Sequence, residues 1–216
     1  MQFVDHPVEL IVVLFGISLL PLFAVVGTCF LKISIVLSML RNALGIQQIP
    51  PSIAIYGISL ILTLFIMAPI AMQIDQNVQA HPPDLSSADG LRNIDQSLFQ
   101  PYREFLVKQA SPEQVSFFVN IAGTMWPENF RQKIDRNSLF ILIPAFAISE
   151  IIRAFKISII LYLPFLAIDI IVTNILLSLG MMMVSPMTIS LPLKVLLFVI
   201  IDGWSKLLFQ LVVSYK

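Results

Sequence analysis

Two long apolar runs limit the folds that this chain can adopt. Residues 10–31 and 53–74 contain no Asp, Glu, Lys or Arg, and each run is long enough to cross a bilayer as a helix. Only 12% of the 216 residues are charged, whereas about a quarter are charged in a typical soluble protein. The sequence therefore predicts an all-α integral membrane protein.

The segment between the two runs indicates how the chain is oriented. Residues 32–52 carry Lys32 and Arg41 and no acidic residue, and basic connecting segments are retained on the cytoplasmic side of a membrane. We expect an N-terminal unit of apolar helices, 1–74, with this connector in the cytoplasm. The chain after Ile74 then begins on the opposite side.

Residues 75–138 form a polar unit, which we place on the periplasmic side as a mostly helical subdomain. It opens with a linker rich in turn-forming residues. Apolar residues then recur at helical spacing at Leu98, Tyr102, Phe105 and Leu106. Ser111, Pro112 and Gln114 form the pattern of a helix start, with serine as the N-cap and glutamine closing a capping box.

The last unit, 139–216, is apolar but interrupted. A first apolar piece runs into Glu150 and a second stops at Asp169, while glycine and prolines break the third. Short, interrupted apolar segments are typical of discontinuous helices that pack against other protein. We expect a bent helical hairpin that turns near 180–186, where the sequence is rich in methionine.

Several charges in this last unit would be costly in lipid. Glu150 and Arg153 are three residues apart and can pair along a helix, with Lys156 on the same side. The alternative is that Arg153 and Lys156 lie near the interface and extend their charged ends toward water. Either arrangement keeps these charges out of the hydrocarbon.

Asp169 has no basic residue at helical spacing. An ionised aspartate at the bilayer centre costs about 3 kcal/mol even on the lenient insertion scale. Its partner could be Lys194 or Lys206 across the hairpin, Lys32, or a residue of another subunit. We expect one group of charges to be buried or to hold subunits in register. The group consists of Lys32, Glu150, Arg153, Lys156, Asp169, Lys194 and Asp202.

Three consecutive methionines, Met181–Met183, stand between Gly180 and Pro186. Methionine side chains are apolar and flexible, so a ring of them can deform around whatever it touches. A methionine cluster at a helix break is therefore one way to line a closable pore. The alternative is that these residues fill a core or face lipid.

Catalysis has little support in the sequence. It contains no nucleophile elbow, zinc-protease motif, P-loop or dinucleotide fingerprint. His6 and His81 lack a second metal ligand at suitable spacing, and the single Cys29 cannot form an intrachain disulfide. The formal net charge is zero, which gives no reason to expect nucleic acid as a partner. We predict neither enzyme activity nor a cofactor.

Four sequence blocks resemble the FliP/SctR family of type III secretion export-gate proteins. The first block is Gly27–Pro51, and the second is PAFAISEIIRAFKIS, with Pro144, Phe146 and Phe155. The third joins the three methionines to Pro186, and the fourth runs from Pro192 and Lys194 to Asp202, Gly203 and Trp204. The start of the chain has Asp5 and Glu9 but no basic residue, unlike a signal peptide. It therefore resembles the virulence branch (SctR, or YscR-type) rather than the flagellar branch, whose members usually begin with a cleavable signal peptide.

The resemblance implies a function. Five copies would assemble with SctS-like and SctT-like membrane subunits into a helical, cone-shaped hetero-oligomer in the bacterial inner membrane, much of it at periplasmic level. An SctU-like protein would dock at its cytoplasmic side, and unfolded polypeptides would pass through its centre. Met181, Met182 and Met183 match the family's methionine gasket, which closes the pore.

Two other functions remain open at this point. The chain could be part of a small-molecule or ion transporter, with Asp169 as a proton or cation site near the midplane. It could also be a membrane scaffold without a pore. A pentamer-based hetero-complex favours export, whereas a monomer or dimer favours the other two.

Overall fold

Every regular element in the described part of the chain is an α-helix. The computed structural model describes residues 7–46, 49–80, 99–131 and 135–216, so His6, His81 and Leu98 lie outside the described residues. The predicted all-α class is confirmed. The helices are α1 (Pro7–Val26), α2 (Phe30–Leu44), α3 (Ser52–Ala80), α4 (Gln100–Gln109), α5 (Pro112–Met125), α6 (Glu128–Arg131), α7 (Leu139–Ser178), α8 (Pro186–Ile200) and α9 (Gly203–Val213).

Helix α7 is the longest helix in these residues and the one on which others pack. It contains Pro144 and Pro164 and runs without a break past Glu150 and Asp169, where the sequence predicted separate pieces. That prediction was wrong. Both carboxylates have cationic partners, described below, and so neither one has to end the helix to reach water.

Helix α2 occupies most of the predicted connector 32–52 and is deeply buried. Ile33, Val36, Leu37 and Leu40 are each at most 1% exposed, and their spacing places them on one face of the helix. Gly45 ends the helix in the left-handed conformation, at φ 77°, which glycine adopts without steric cost. The connector is therefore a core helix between α3 and α7; its cytoplasmic location remains a prediction.

Helices α8 and α9 form a bent pair, with their axes at 61°. Asp202 lies at the bend with φ 54°, and Gly203 follows against the ring of Phe198. A Cβ atom at Gly203 would collide with that ring unless the ring moved, so glycine allows this approach without strain. The bend agrees with the predicted broken helices and gives Gly203 of the fourth sequence block a packing role.

Four membrane crossings are possible in the described residues. Helices α3 and α7 are each long and apolar enough to span, and the bent pairs α1–α2 and α8–α9 raise the number to four if each pair is one span. Helices α4 and α5 pack against α7. Ser111 is the N-cap of α5 as predicted, but its side chain makes no capping hydrogen bond. The predicted capping box is therefore absent at this helix start.

Candidate functional site

A buried ion cluster joins α2 to the middle of α7. Glu150 is 0% exposed and Lys32 is 1% exposed. The Lys32 Nζ lies 3.5 Å from Glu150 Oε2. Arg153 Nη1 lies 3.1 Å from the other carboxylate oxygen, Oε1. One buried carboxylate thus stands between two cations, one from each helix.

The C-terminal residues complete this cluster. The Tyr215 hydroxyl donates a hydrogen bond to Glu150 Oε2, and Lys32 Nζ sits 3.6 Å above the centre of the Tyr215 ring. Lys32 also donates to Ser214 Oγ at 3.0 Å. Burial, together with the nearby Glu150 carboxylate, raises the pKa of the Tyr215 phenol. The phenol therefore remains protonated and able to donate.

Helix α4 contributes a further contact through Gln109, which is itself buried. Arg153 Nη1 donates to Gln109 Oε1 at 3.4 Å, and Gln109 Nε2 donates to the Tyr215 carbonyl at 3.4 Å. The cluster therefore connects α2, α4, α7 and the C-terminus. Lys156 is exposed and makes no ion pair with any described residue, so it lies apart from this cluster.

Burial makes this cluster sensitive to the loss of any one member. A buried ion pair contributes little net stability, because desolvation opposes the attraction of the charges. Removing one partner is different, since it leaves the other charge buried without compensation. The cluster therefore fixes how four elements meet rather than serving as a source of large net stability.

A second ion pair ties α7 to α8. Lys194 Nζ lies 2.6 Å from Asp169 Oδ2 and 3.3 Å from the carbonyl oxygen of Ala43. Lys194 is 5% exposed, whereas the Asp169 side chain is 35% exposed. Of the partners considered for Asp169, the structure thus brings Lys194 to it. The carbonyl contact adds the end of α2 to the same junction.

The methionine turn (residues 179–185) joins α7 to α8. Gly180 has φ 73°, its N–H donates to the Leu177 carbonyl, and the Met181 N–H donates to the Leu176 carbonyl, both at 3.0 Å. These two bonds form a Schellman motif, which ends a helix with a left-handed residue. Met182 is 82% exposed and Met183 is 100% exposed. The turn therefore presents its thioethers outward at the tip of the hairpin.

Comparison with known proteins identifies the family. The sequence model of the FliP family matches residues 13–211. The chain belongs to the FliP family. Among its relatives, virulence protein YscR of Salmonella typhimurium is 49% identical over 217 residues, covering 100% of both chains. Yop proteins translocation protein R of Yersinia pestis is 47% identical over 208 residues, covering 96% of each.

A third relative extends this set. Harpin secretion protein HrcR of Erwinia amylovora is 45% identical over 209 residues, covering 97% of this chain and 96% of that protein. The resemblance inferred from the four sequence blocks is confirmed. This FliP-family chain is thus a type III secretion component, with apolar helices suited to a membrane.

The FliP-family motif residues lie in different surroundings. Phe146 is fully buried and Phe155 is 48% exposed, while Pro144 lies half-buried inside α7. Pro186 is the first residue of α8, and Pro192 is exposed within it. Trp204 packs edge-on against Phe198. Asp202 is exposed and accepts a hydrogen bond from Ser205 Oγ at 3.0 Å.

Several residues that the structure brings into the site could not be predicted from the sequence of this FliP-family chain. Gln109, Ser214 and Tyr215 carried no periodic or motif signal that linked them to Glu150. Tyr102 was assigned to a helix, but its hydroxyl donates to the Gly27 carbonyl at 2.8 Å. Burial raises the pKa of Tyr102 to about 12, and so this donor stays protonated. The contact fixes α4 to the turn between α1 and α2, where Gly27 lies.

Proposed function

We propose that this chain is a core subunit of a type III secretion export gate in the bacterial inner membrane. Membership of the FliP family supports the proposal, as do relatives named for Yop translocation and harpin secretion. The substrates would be unfolded polypeptides that pass through the centre of the assembly. The chain would contribute the channel wall, and other components would supply the energy for export.

The observation that carries this function is the exposure of the methionine turn. Met181, Met182 and Met183 are 43%, 82% and 100% exposed, so the described residues of this chain leave their side chains largely uncovered. Several copies that converge on an axis would cover these thioethers against one another. Because methionine changes rotamer readily, such a gasket could open for a polypeptide of any sequence and close again around it.

The proposed assembly is a cone of five copies with SctS-like and SctT-like subunits, much of it at periplasmic level, with an SctU-like protein on the cytoplasmic side. The hairpin leaves open an apolar surface that neighbouring subunits would cover in such an assembly. Ile160, Leu163 and Ile171 of α7 and Val199 of α8 are all more than half exposed. Lys156 and Asp202 are exposed charges available to neighbouring subunits, whereas Glu150 and Lys194 have partners within the chain.

Native mass spectrometry of the chain purified with its membrane neighbours tests this function. We expect a hetero-complex built on five copies of this chain. A monomer or dimer that never associates with other membrane subunits would contradict the proposal. Secretion of a reporter polypeptide by cells that lack the chain would also contradict it.

The transporter alternative, with Asp169 as the ion site, is less well supported. A carboxylate that binds a transported cation must be free to exchange it, but Lys194 Nζ already lies 2.6 Å from Asp169. Ion or solute uptake by liposomes that contain the purified chain alone would favour this alternative. We expect no uptake in that experiment.

A further inference from the structure

An apolar groove lies between α1 and one face of α3, away from the ion cluster. Its volume is about 510 Å³, and its walls include Pro21, Ala24 and Val25 from α1 and Ile53, Leu60 and Leu64 from α3. Ile53 is 81% exposed and Leu64 is 62% exposed. Within the described residues, no side chain covers this surface.

The two threonine hydroxyls in the groove are already satisfied, and the remaining polar side chain in its lining is Tyr56. The Thr63 hydroxyl donates to the Ser59 carbonyl at 2.7 Å, and the Thr28 hydroxyl donates to the Ala24 carbonyl. Both threonines thus present their methyl groups and keep their donors within their own helices. A surface of this kind favours a hydrocarbon occupant over one that needs hydrogen bonds along its length.

The length of the groove suits one lipid chain. It follows α3 from Ile53 to Met67, a distance of about 21 Å at the helical rise per residue. One leaflet of the hydrocarbon core is about 15 Å thick. Because α3 is long and apolar enough to span a membrane, a groove along it can accept a whole acyl chain.

The cationic side chain of Arg41 lies near one end of the groove. Arg41 Nη1 donates to Ser52 Oγ at 3.0 Å and to the Pro50 carbonyl at 3.4 Å, and Ser52 immediately precedes Ile53. A guanidinium carries five N–H donors, and Arg41 Nη2 makes no hydrogen bond to any described residue. The segment 30–52 contains no acidic residue to neutralise this charge.

We propose that this groove is a binding site for an anionic phospholipid. One acyl chain occupies the groove between α1 and α3, and the headgroup phosphate accepts hydrogen bonds from Arg41, as guanidinium groups favour. The lipid covers the exposed side chains of α3 and joins α1 to it. This site is independent of the methionine turn and of the proposed export function.

Gly57 offers a direct test, because it lines the groove and a Cβ atom there meets nothing within 4 Å. Gly57→Leu should place a branched apolar side chain in the groove. Gly123, on α5, is equally open, so Gly123→Leu is the matched control. We expect native mass spectrometry of the full chain in detergent with phosphatidylglycerol to detect one retained lipid for wild type and Gly123→Leu, and none for Gly57→Leu.

Two further variants test the headgroup and identify the occupant. Arg41→Gln should lower the preference for phosphatidylglycerol over phosphatidylcholine about fivefold, as expected for one basic residue beside an anionic lipid. Leu60→benzoylphenylalanine in intact membranes should give a cross-linked adduct with the mass of a phospholipid. This second readout keeps the test decisive if Gly57→Leu does not fold.

Other outcomes overturn the proposal. Lipid retention by Gly57→Leu equal to wild type would exclude the groove as the site. A cross-link from position 60 to another protein chain would assign the groove to a partner helix instead. An unchanged lipid preference in Arg41→Gln would show that Arg41 does not bind the headgroup.

Discussion

Tyr215 donates a hydrogen bond to Glu150, and so the last residues of the chain are fixed to the middle of its longest described helix. The same tyrosine ring lies under Lys32 Nζ. The C-terminus is thereby part of the core, 8% exposed at Tyr215. Truncation or tagging that displaces Tyr215 would disturb α2 and α7 together.

Replacing Glu150 should destabilise the protein severely. Glu150→Gln keeps the shape of the side chain but leaves Lys32 buried without a counter-charge. We expect a loss of about 3–5 kcal/mol in the free energy of unfolding, measured by denaturant unfolding in detergent. Lys156→Gln, at an exposed site on the same helix, is the control and should unfold like wild type. Equal stability of Glu150→Gln would show that the cluster is not structural.

Tyr215→Phe separates the hydroxyl from the ring. The variant keeps the ring beneath Lys32 but removes the donor to Glu150, which should cost about 1–3 kcal/mol. Tyr215→Ala loses both contacts and should unfold at a lower denaturant concentration than Tyr215→Phe. If the two variants were equally stable, the cation–ring contact would contribute nothing.

Asp169→Asn should weaken assembly, because it leaves Lys194 buried without its carboxylate partner. The measurement is the fraction of hetero-complex that survives detergent extraction. Asp169→Asn combined with Lys194→Met removes both charges and should recover part of the loss, since no uncompensated charge is then buried. A single variant as stable as the parent complex would refute the prediction.

Replacing Met181, Met182 and Met183 together with alanine should raise ion leakage while secretion persists. Alanine is too short to close the proposed gasket, but it leaves the turn and its Schellman bonds intact. Leucine at the same three positions keeps apolar bulk and is the matched control, with leakage closer to wild type. Membrane conductance and reporter secretion are measured in the same cells, and unchanged conductance in the alanine variant would contradict the gasket role.

Gly203→Ala should strain the bend between α8 and α9. The added Cβ would meet the Phe198 ring, and overpacking of this kind costs about 1–3 kcal/mol. Phe198→Leu in the same chain should relieve part of the strain by removing the ring. Thermal unfolding of the single and double variants checks this, and additive losses would mean that the two residues do not interact as described.

The helical class, the position of the hairpin turn and the family could all be predicted from the sequence alone. Apolar runs free of charge require helices in a membrane, and Gly180 with Pro186 interrupts the helices where the structure turns. The sequence also indicated that Asp169 needs a partner and that Glu150 and Arg153 can pair, because helical spacing and desolvation are local properties.

Only the tertiary structure decided which distant groups meet. Sequence spacing could not join Tyr215 and Lys32 to Glu150, because contacts between separate helices depend on how those helices pack. The same packing decided that α7 continues through its charged residues: cations from α2 and α8 reach Glu150 and Asp169, so neither residue needs water. Local chemistry determined which segments are helices and which charges are costly, whereas long-range packing determined how those charges are compensated.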